Sequence, residues 1–386
     1  MKRCTRCILP STYRNIKFNA DGSCNYCETF DKIKDRLTNY EELGKLFNQR
    51  IDLLKGKYEY DVLAGLSGGK DSSYIVYVLK EVYGLNVLSF TFDNHFLTDY
   101  GRRNIDSLVK KLDVDHFYHQ IDWPLQKEFY RKATMGLGLP CVACSQMGFA
   151  LMYKIAYDRK IPLVIHGRST HQMFKELLPG SRDTFLPLIK SNLTPYTVED
   201  IKKTQLTALE KMDYYLKKIL DENAYNKFMT LYLPDMEEFK KAEIVPELLG
   251  FFLFHPYDED MLKDTLEKNI GWQRPDNDKS LSHNDCAIHD AAAYIYSESL
   301  SYPLIAQELS TAIRLGEITR ENALKRLHAE TCLKSWPEAS MNIFMKELDL
   351  TGSELKKALK VNKIKHKLLR QYLRVNAFFK KPEFEF

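Results

Sequence analysis

Short apolar runs alternate with amphipathic stretches over residues 58–188, and this pattern predicts the core of the fold. Helical periodicity appears at residues 74–79 and 102–112, between the apolar runs. The runs that have the length of buried strands are residues 62–66, 85–92, 114–121 and 163–166. Because strands that alternate with helices form βαβ units, we expect an α/β fold with a doubly wound parallel sheet.

The same patterns divide the whole chain into regions. We expect a cysteine-rich module, a helical linker, a sheet-containing nucleotide domain and a mainly helical C-terminal region, at residues 1–31, 32–56, 57–235 and 236–386. In the last region, Gly316 ends one helical pattern and Thr319 is placed to cap the next. This arrangement predicts a helix-turn-helix hairpin.

A glycine-containing turn joins the first predicted strand to the first predicted helix. Its sequence is Ser67-Gly68-Gly69-Lys70-Asp71-Ser72-Ser73. The glycines let a ligand approach the backbone, and the helix start offers N–H groups and the positive end of the helix dipole. The turn therefore predicts a phosphate-binding loop with Ser67, Asp71 and Ser72 as candidate catalytic residues, Asp71 holding magnesium. A plain glycine turn with a capped helix is the alternative.

Two further strand ends supply candidate nucleotide contacts. Ligands of open parallel sheets bind at the carboxyl ends of strands. Thr91, Phe92 and Asp93 end the second strand, and Gly167 and Arg168 follow the strand at residues 163–166. We expect the first three to border adenosine, Gly167 to admit ATP and Arg168 to meet a phosphate, with ordinary strand-end or surface roles as the alternative.

Four cysteines near the start of the chain have the spacing of a metal site. Cys4 and Cys7 form one C-x2-C pair, and Cys24 and Cys27 form another. Two such pairs around a short turn place four thiolates in tetrahedral reach of one ion, as in a structural zinc ribbon. A rubredoxin-like iron site would have the same sequence.

A third C-x2-C pair lies in the predicted α/β unit. It consists of Cys141 and Cys144, and Cys286 is an isolated cysteine with polar neighbours. These three cysteines are candidate ligands of a 4Fe-4S cluster with one open iron. A second zinc site that uses His283 or His289, or no metal at all, are the alternatives.

Composition restricts the class of protein and its location. The chain has 386 residues, which suffices for two or three domains, and no apolar run long enough to span a membrane. No signal-peptide pattern is present, so we expect a cytoplasmic protein without a membrane partner. The net charge of +4 argues against a nucleic acid partner, although residues 356–381 carry ten Lys or Arg and no Asp or Glu. This basic stretch is either a solvated helix face or a docking surface for phosphate or an acidic partner.

The loop sequence SGGKDSS resembles the PP-loop of the ATP pyrophosphatases, whose consensus is SGGxDS, and it lacks the spacing of a Walker motif. The resemblance implies that ATP is cleaved between its α and β phosphates. It also implies that a substrate oxygen is adenylated and then displaced by a nitrogen or sulfur nucleophile.

Several strings outside the loop narrow the resemblance. The chain contains CTRCILPST, NADGSCNYC, TFDN, PCVACS, GWQRP, HNDC and IRLGEITRENAL. Together with the loop they resemble the N-acetyl sugar amidotransferase family of bacterial surface-glycan biosynthesis, which makes acetamidino sugars of O-antigens and of flagellar pseudaminic-type sugars. The resemblance implies that ATP and Mg²⁺ serve to adenylate an acetamido oxygen of a nucleotide-activated N-acetyl sugar. Ammonia then expels AMP and leaves an amidine.

The sequence contains no recognisable ammonia source of its own, since no glutaminase nucleophile elbow is present. The family resemblance implies a separate glutaminase subunit and a barrel subunit similar to those of imidazole glycerol phosphate synthase. Candidate sugar contacts are Trp272, Arg274, His283 and Asn284, with packing as the alternative. One departure is His95, at a position where relatives carry glycine.

A PP-loop enzyme of tRNA thiolation is the competing interpretation. Such an enzyme also combines the loop with a zinc ribbon and three cluster cysteines, here Cys141, Cys144 and Cys286. The modest net charge and the sugar-family strings argue against it. A non-enzymatic nucleotide sensor is a third interpretation.

Overall fold

The fold is built on a five-stranded parallel sheet. The computed structural model describes residues 2–169, 198–273, 285–330 and 335–379. The strands are β1 (Val62–Gly65), β2 (Val87–Asp93), β3 (Asp115–Gln120), β4 (Leu163–His166) and β5 (Glu247–Gly250). Their order in the sheet is β3-β2-β1-β4-β5, and each neighbouring pair is parallel. The chain thus extends the sheet in one direction from β1, then returns to the other side of β1.

Helices follow most strands and form the remaining regions. The helices that precede or surround the sheet are α1 (Asn25–Thr38), α2 (Tyr40–Leu54), α3 (Lys70–Tyr77), α4 (Asp99–Leu112), α5 (Trp123–Leu137), α6 (Cys141–Asp158), α7 (Val198–Ile219), α8 (Glu222–Tyr232), α9 (Met236–Lys241), α10 (Phe251–Phe254) and α11 (Glu259–Ile270). The C-terminal helices are α12 (His289–Leu300), α13 (Ile305–Leu315), α14 (Arg320–Ala329), α15 (Glu338–Glu347) and α16 (Gly352–Phe379). A π-helical segment, Val78–Val82, extends α3.

Alternating side chains of the strands build one core on each face of the sheet. Val62 and Ala64 of β1 pack in a cluster with residues of α2, α3, α4 and α11. Leu63 packs in the opposite cluster with residues of α5, α6, α7 and α8. Two-sided burial explains why these strands appear in the sequence as continuous apolar runs. The predicted fold class, a doubly wound α/β sheet with a four-cysteine module and a helical C-terminal region, is confirmed.

The predicted helical hairpin near the C-terminus is also confirmed. Gly316 ends α13 in the left-handed conformation, with a φ of 84°. The Thr319 side chain accepts a hydrogen bond from the Asn322 N–H and so caps α14. Within the described residues, no helix is both long enough and apolar enough to cross a membrane. The sequence-based candidates Arg274, His283 and Asn284 lie outside the described residues.

Candidate functional site

The predicted phosphate-binding loop lies where the strand order reverses, between the carboxyl ends of β1 and β4. Open α/β sheets bind ligands at this position. The loop hydroxyls form a compact set: the Ser72 Oγ accepts from the Ser67 N–H at 3.1 Å and lies 3.1 Å from the Ser67 Oγ. Gly69 is the N-cap of α3, and Ser73, next to Ser72, is buried. The residues of the loop therefore surround the positive end of a helix with hydroxyl groups.

Gly68 is the tightest point of the loop. Its φ is +79°, and a Cβ at this position would lie 2.0 Å from the carbonyl oxygen of Gly101. The Gly68 carbonyl accepts hydrogen bonds from the Trp272 Nε1 at 3.0 Å and the Asn104 Nδ2 at 3.3 Å. Trp272 is buried, so the structure supports a packing role for it over sugar contact. Sequence reasoning missed Asn104, which lies in the amphipathic pattern of α4.

The end of β4 packs directly against the start of α3. A Cβ on Gly167 would lie 3.3 Å from the backbone N of Ser72, so a side chain here would crowd the loop. Arg168 follows it, with its guanidinium 4.8 Å from the centre of the Phe149 ring. Burial and, to a smaller extent, the nearby Arg168 lower the pKa of His166 to about 3. A neutral His166 accepts the Arg168 N–H at its Nδ1, at 3.3 Å.

Charged side chains meet beside the loop. Lys70 lies 3.4 Å from a carboxylate oxygen of Asp71, and the Tyr257 hydroxyl donates to the other oxygen at 3.0 Å. Burial favours a lower pKa for Lys70, but Asp71, Glu259 and Asp285 together raise it, so the ammonium stays charged. Burial raises the pKa of Tyr257 well above its usual value, and Asp71 raises it further. Tyr257 and Glu259 carry no motif and were missed by sequence reasoning, whereas Asp285 belongs to the HNDC string but was given no role.

The predicted adenosine contacts at the end of β2 differ in their surroundings. The Thr91 hydroxyl is buried and donates to the Leu66 carbonyl at 2.6 Å, which ties β2 to β1. Phe92 is partly buried against the core of α5 and α6. Asp93 lies at the sheet edge and accepts a hydrogen bond from Arg102 at 3.3 Å. Thr91 therefore has a strand-pairing role, whereas the Asp93 side chain is partly accessible, with 27% of its surface exposed.

His95 occupies a turn that favours glycine. Its φ is 71°, in the left-handed region. The ring stacks on Trp123 with 4.1 Å between ring centres, and its Nε2 lies 2.8 Å from a Glu347 carboxylate oxygen. These contacts offset the backbone cost, which explains how a histidine is accommodated here.

The third cysteine pair and Cys286 converge next to the loop. Cys141 begins α6, and the Asn94 side-chain amide donates to the Cys144 sulfur at 3.3 Å. Cys286 forms an isolated β-bridge with Leu97. Burial raises the pKa of the Cys286 thiol, and the nearby Cys141 and Cys144 raise it further. The structure thus gathers residues that are far apart in sequence.

One residue connects this cysteine group to the loop. Asp285, adjacent to Cys286, has a carboxylate oxygen 3.5 Å from the position of a Cβ on Gly69. Its carbonyl accepts the Thr98 N–H at 3.0 Å, which holds the segment over the end of β2. The loop and the three cysteines therefore border a common region.

The four N-terminal cysteines form a buried cluster that can hold a metal ion. Their sulfur atoms lie within 4.8 Å of one another, and Cys4–Cys27, Cys7–Cys24 and Cys24–Cys27 are separated by 3.9, 3.8 and 3.7 Å. Among the described residues, no second group of three ligands lies as close together.

The helical hairpin of α13 and α14 holds this cysteine cluster. The buried Arg314 of α13 donates to the Cys7 sulfur at 3.6 Å. Arg320 of α14 donates to the carbonyls of Cys4 and Cys7 at 3.3 and 3.1 Å. Burial would lower the pKa of Arg314, but Cys7 and Cys27 raise it. Residues from the two ends of the chain thus build one site.

Comparisons with known proteins find limited likeness. No model of a known protein family matches the chain. The uncharacterized protein MJ1599 of Methanocaldococcus jannaschii is 23% identical over 209 residues, which cover 53% of this chain and 71% of that protein.

Two solved structures resemble the chain in part. One is the U34-tRNA thiolase NcsA from Methanococcus maripaludis with its 4Fe-4S cluster, at 15% identity and a TM-score of 0.34, covering 84% of this chain and 89% of that one. The other is the NH3-dependent NAD synthetase from Campylobacter jejuni in complex with a nitrate ion, at 19% identity and a TM-score of 0.31, covering 55% of this chain and 100% of that one. Likeness of this extent leaves the reaction to be argued from the site itself.

Proposed function

We propose that this chain is an ATP-dependent amidotransferase that converts an acetamido group of a nucleotide-activated sugar into an acetamidino group. The observation that carries the proposal is the loop of residues 67–73 at the sheet's switch point, with Gly68 in the left-handed conformation and hydroxyls around the start of α3. This arrangement suits a pyrophosphate group.

The reaction needs a leaving group on the amide carbon. In the proposed first step, the acetamido oxygen attacks the α-phosphorus of ATP and pyrophosphate departs. The Gly69 N–H and the hydroxyls of Ser67, Ser72 and Ser73 stabilise the departing charge, and Asp71, which accepts a hydrogen bond from Tyr257, would hold the magnesium ion. In the second step, ammonia adds to the activated carbon, AMP leaves with the oxygen, and loss of a proton gives the amidine.

The support for this reaction over others that use the same loop is the sequence resemblance, and the strings that carry it lie at the loop and at the cysteine cluster. Trp272 of GWQRP bonds the Gly68 carbonyl, and Asp285 of HNDC lies beside Gly69. Arg314 of IRLGEITRENAL donates to Cys7 of CTRCILPST. Strings distant in sequence therefore meet at two places, the loop and the cysteine cluster.

We propose zinc as the ion of the N-terminal cluster. Four thiolates at a Zn–S distance of about 2.3 Å in a tetrahedron have sulfur atoms about 3.8 Å apart. Three of the six sulfur separations, at 3.7 to 3.9 Å, match this geometry, and all six are within 4.8 Å. The ion would be structural, because four protein ligands leave no open position.

The experiment that tests the amidotransferase uses nitrogen-15 ammonium, ATP and a panel of nucleotide-activated N-acetyl sugars. We expect AMP release, and pyrophosphate beyond one equivalent per enzyme, only when sugar and ammonium are both present, with nitrogen-15 in the product. The double variant Ser67→Ala with Asp71→Ala should abolish AMP formation and retain zinc. AMP formation without nitrogen incorporation for every sugar would reject the proposal.

The second candidate function is PP-loop tRNA thiolation, which the three cysteines beside the loop favour. Cys141, Cys144 and Cys286 supply three thiols, the donor set of a 4Fe-4S cluster with one open iron. A bound cluster would supply a site for sulfur. Anaerobic purification with iron and sulfide analysis, followed by an assay for thiolated tRNA, distinguishes the two functions, since amidotransfer leaves tRNA unmodified.

A further inference from the structure

The C-terminal helix α16 is anchored to the body along one face. Asn362 is fully buried and donates to the Thr134 and Met135 carbonyls at 3.1 and 3.2 Å. One and two turns later, the His366 ring bonds the Leu137 carbonyl at 2.7 Å and Arg370 donates to the Leu300 carbonyl at 2.7 Å. These contacts hold the C-terminal ends of α5 and α12 and fix which face of α16 points outward.

The outward face carries a row of large apolar side chains. Val361, Ile364, Leu368, Leu369 and Tyr372 are 42, 60, 58, 44 and 64% exposed. All but Leu369 are spaced by three or four residues, which places them in a row along the helix, and Leu369 widens this row on one side. Val361 and Leu368 at a positions and Ile364 at d keep a heptad register, the pattern of a coiled-coil seam.

Lysines flank this row on both sides. In the same register, Lys360 and Lys367 occupy g positions, and Lys365 occupies an e position. The charges at e and g select the partner helix in coiled coils. A second copy of α16 would bring lysine against lysine, and residues 356–381 contain no acidic residue to compensate.

We propose that the outward face of α16, residues 360–372, docks an amphipathic helix of a partner protein that carries Asp or Glu on both sides of its own apolar seam. A helix is favoured over a lipid surface because Val361, Ile364 and Leu368 keep the a/d spacing with lysines at the neighbouring g positions, a register that a lipid surface does not require. The partner's acidic side chains would pair with the flanking lysines.

The position of this face connects a bound partner to the site. The carbonyls of Thr134, Met135 and Leu137 that α16 holds belong to the last turn of α5. The chain then passes through Gly138 into Cys141, the first residue of α6. A partner bound to the outward face of α16 therefore lies on the opposite side of this helix from the turn between α5 and Cys141.

The test uses the full chain and two synthetic peptides of about four heptads with Leu at a and d. One peptide has Glu at e and g, and the other has Lys there. Fluorescence anisotropy should show salt-dependent binding of the Glu peptide, at least about tenfold tighter than the Lys peptide. The double variant Ile364→Glu with Leu368→Glu should lose this binding, while Leu53→Glu, which changes an equally exposed leucine on α2, should retain it.

A charge exchange provides the sharper control. Lys360→Glu with Lys367→Glu changes exposed flanks and leaves the anchoring contacts of Asn362 and His366 in place. This variant should prefer the Lys peptide over the Glu peptide. Equal binding of both peptides by the wild-type chain would overturn the proposal. Concentration-dependent dimerisation through the same residues, or binding to phosphatidylglycerol vesicles in place of the Glu peptide, would overturn it in favour of a second copy or a membrane surface.

Discussion

Replacing Gly68 by alanine should both impair ATP binding by the loop and lower the stability of the fold. The left-handed conformation at this position, with φ +79°, costs a residue with a Cβ about 1–2 kcal/mol. The new Cβ would also lie 2.0 Å from the Gly101 carbonyl oxygen. Because the obstacle is backbone, no side-chain rotation relieves it, and forced overpacking adds about 1–3 kcal/mol. We expect the free energy of unfolding to fall by about 2–5 kcal/mol in total.

The matched control is Gly44→Ala in the interior of α2, where the added Cβ meets nothing within 4 Å. That variant should be more stable than the wild type by about 0.5–1 kcal/mol, because alanine restricts the unfolded chain. Unfolding in guanidinium measures the change in stability of both variants. Isothermal titration calorimetry with ATP measures how tightly the loop of each variant binds the nucleotide. Displacement of the loop by about 1 Å should reduce AMP formation by about 100-fold. A Gly68→Ala protein with wild-type stability and ATP affinity would refute the derived loop geometry.

Three other changes test separate parts of the structure. Tyr257→Phe removes the hydroxyl that donates to Asp71, so the magnesium concentration for half-maximal AMP formation should rise by about tenfold, measured by magnesium titration. Arg314→Met removes the donor to Cys7 and should speed zinc loss to a chelator by about 10–100-fold, followed with a colorimetric zinc indicator. The third change is His166→Gln. The pKa of His166 is about 3 in the fold and 6.5 unfolded, so the unfolded chain binds the extra proton and stability falls as the pH drops below 6.5. Between pH 7.5 and pH 5 the wild type should lose about 2 kcal/mol more than this variant in urea unfolding.

Each of these changes has an outcome that contradicts its reasoning. An unchanged magnesium dependence in Tyr257→Phe would show that the Tyr257 hydroxyl does not position Asp71 for metal binding. Tyr214→Phe, at an exposed tyrosine of α7, serves as its control. Unaltered zinc release from Arg314→Met would show that the guanidinium does not stabilise the thiolates. Equal acid sensitivity of the wild type and His166→Gln would show that His166 does not titrate as its burial requires.

The sequence predicted the strands and the loop well because both depend on local patterns. Burial on two faces makes β1 and β4 continuous apolar runs, and the predicted residues 163–166 coincide with β4. The four-cysteine cluster was also predictable, since two C-x2-C pairs fix the ligands by spacing.

The contacts around the loop were not predictable, because they depend on residues that only tertiary packing brings together. Tyr257 and Glu259 follow no motif, and nothing in the HNDC string assigns a role to Asp285, yet these residues set the environment of Lys70 and Asp71. Trp272, by contrast, was a predicted sugar contact, and the structure gives it a packing role. A tryptophan beside polar residues has the same sequence signal whether its N–H meets a ligand or, as here, the Gly68 carbonyl.

The cysteine module also makes tertiary contacts that its sequence does not indicate, and these contacts have a consequence for folding. In sequence, residues 1–31 form an independent metal-binding unit. In the structure, Ile8 packs among Ala306, Leu309 and Ala323 of the hairpin, and Arg314 is buried against Cys7. A guanidinium buried without its thiolate partners would be costly, so α13 is stable in this position only when the cysteines are in place. The metal cluster and the C-terminal hairpin should therefore unfold together, and metal removal should expose α13 and α14 as well as the first thirty residues or so.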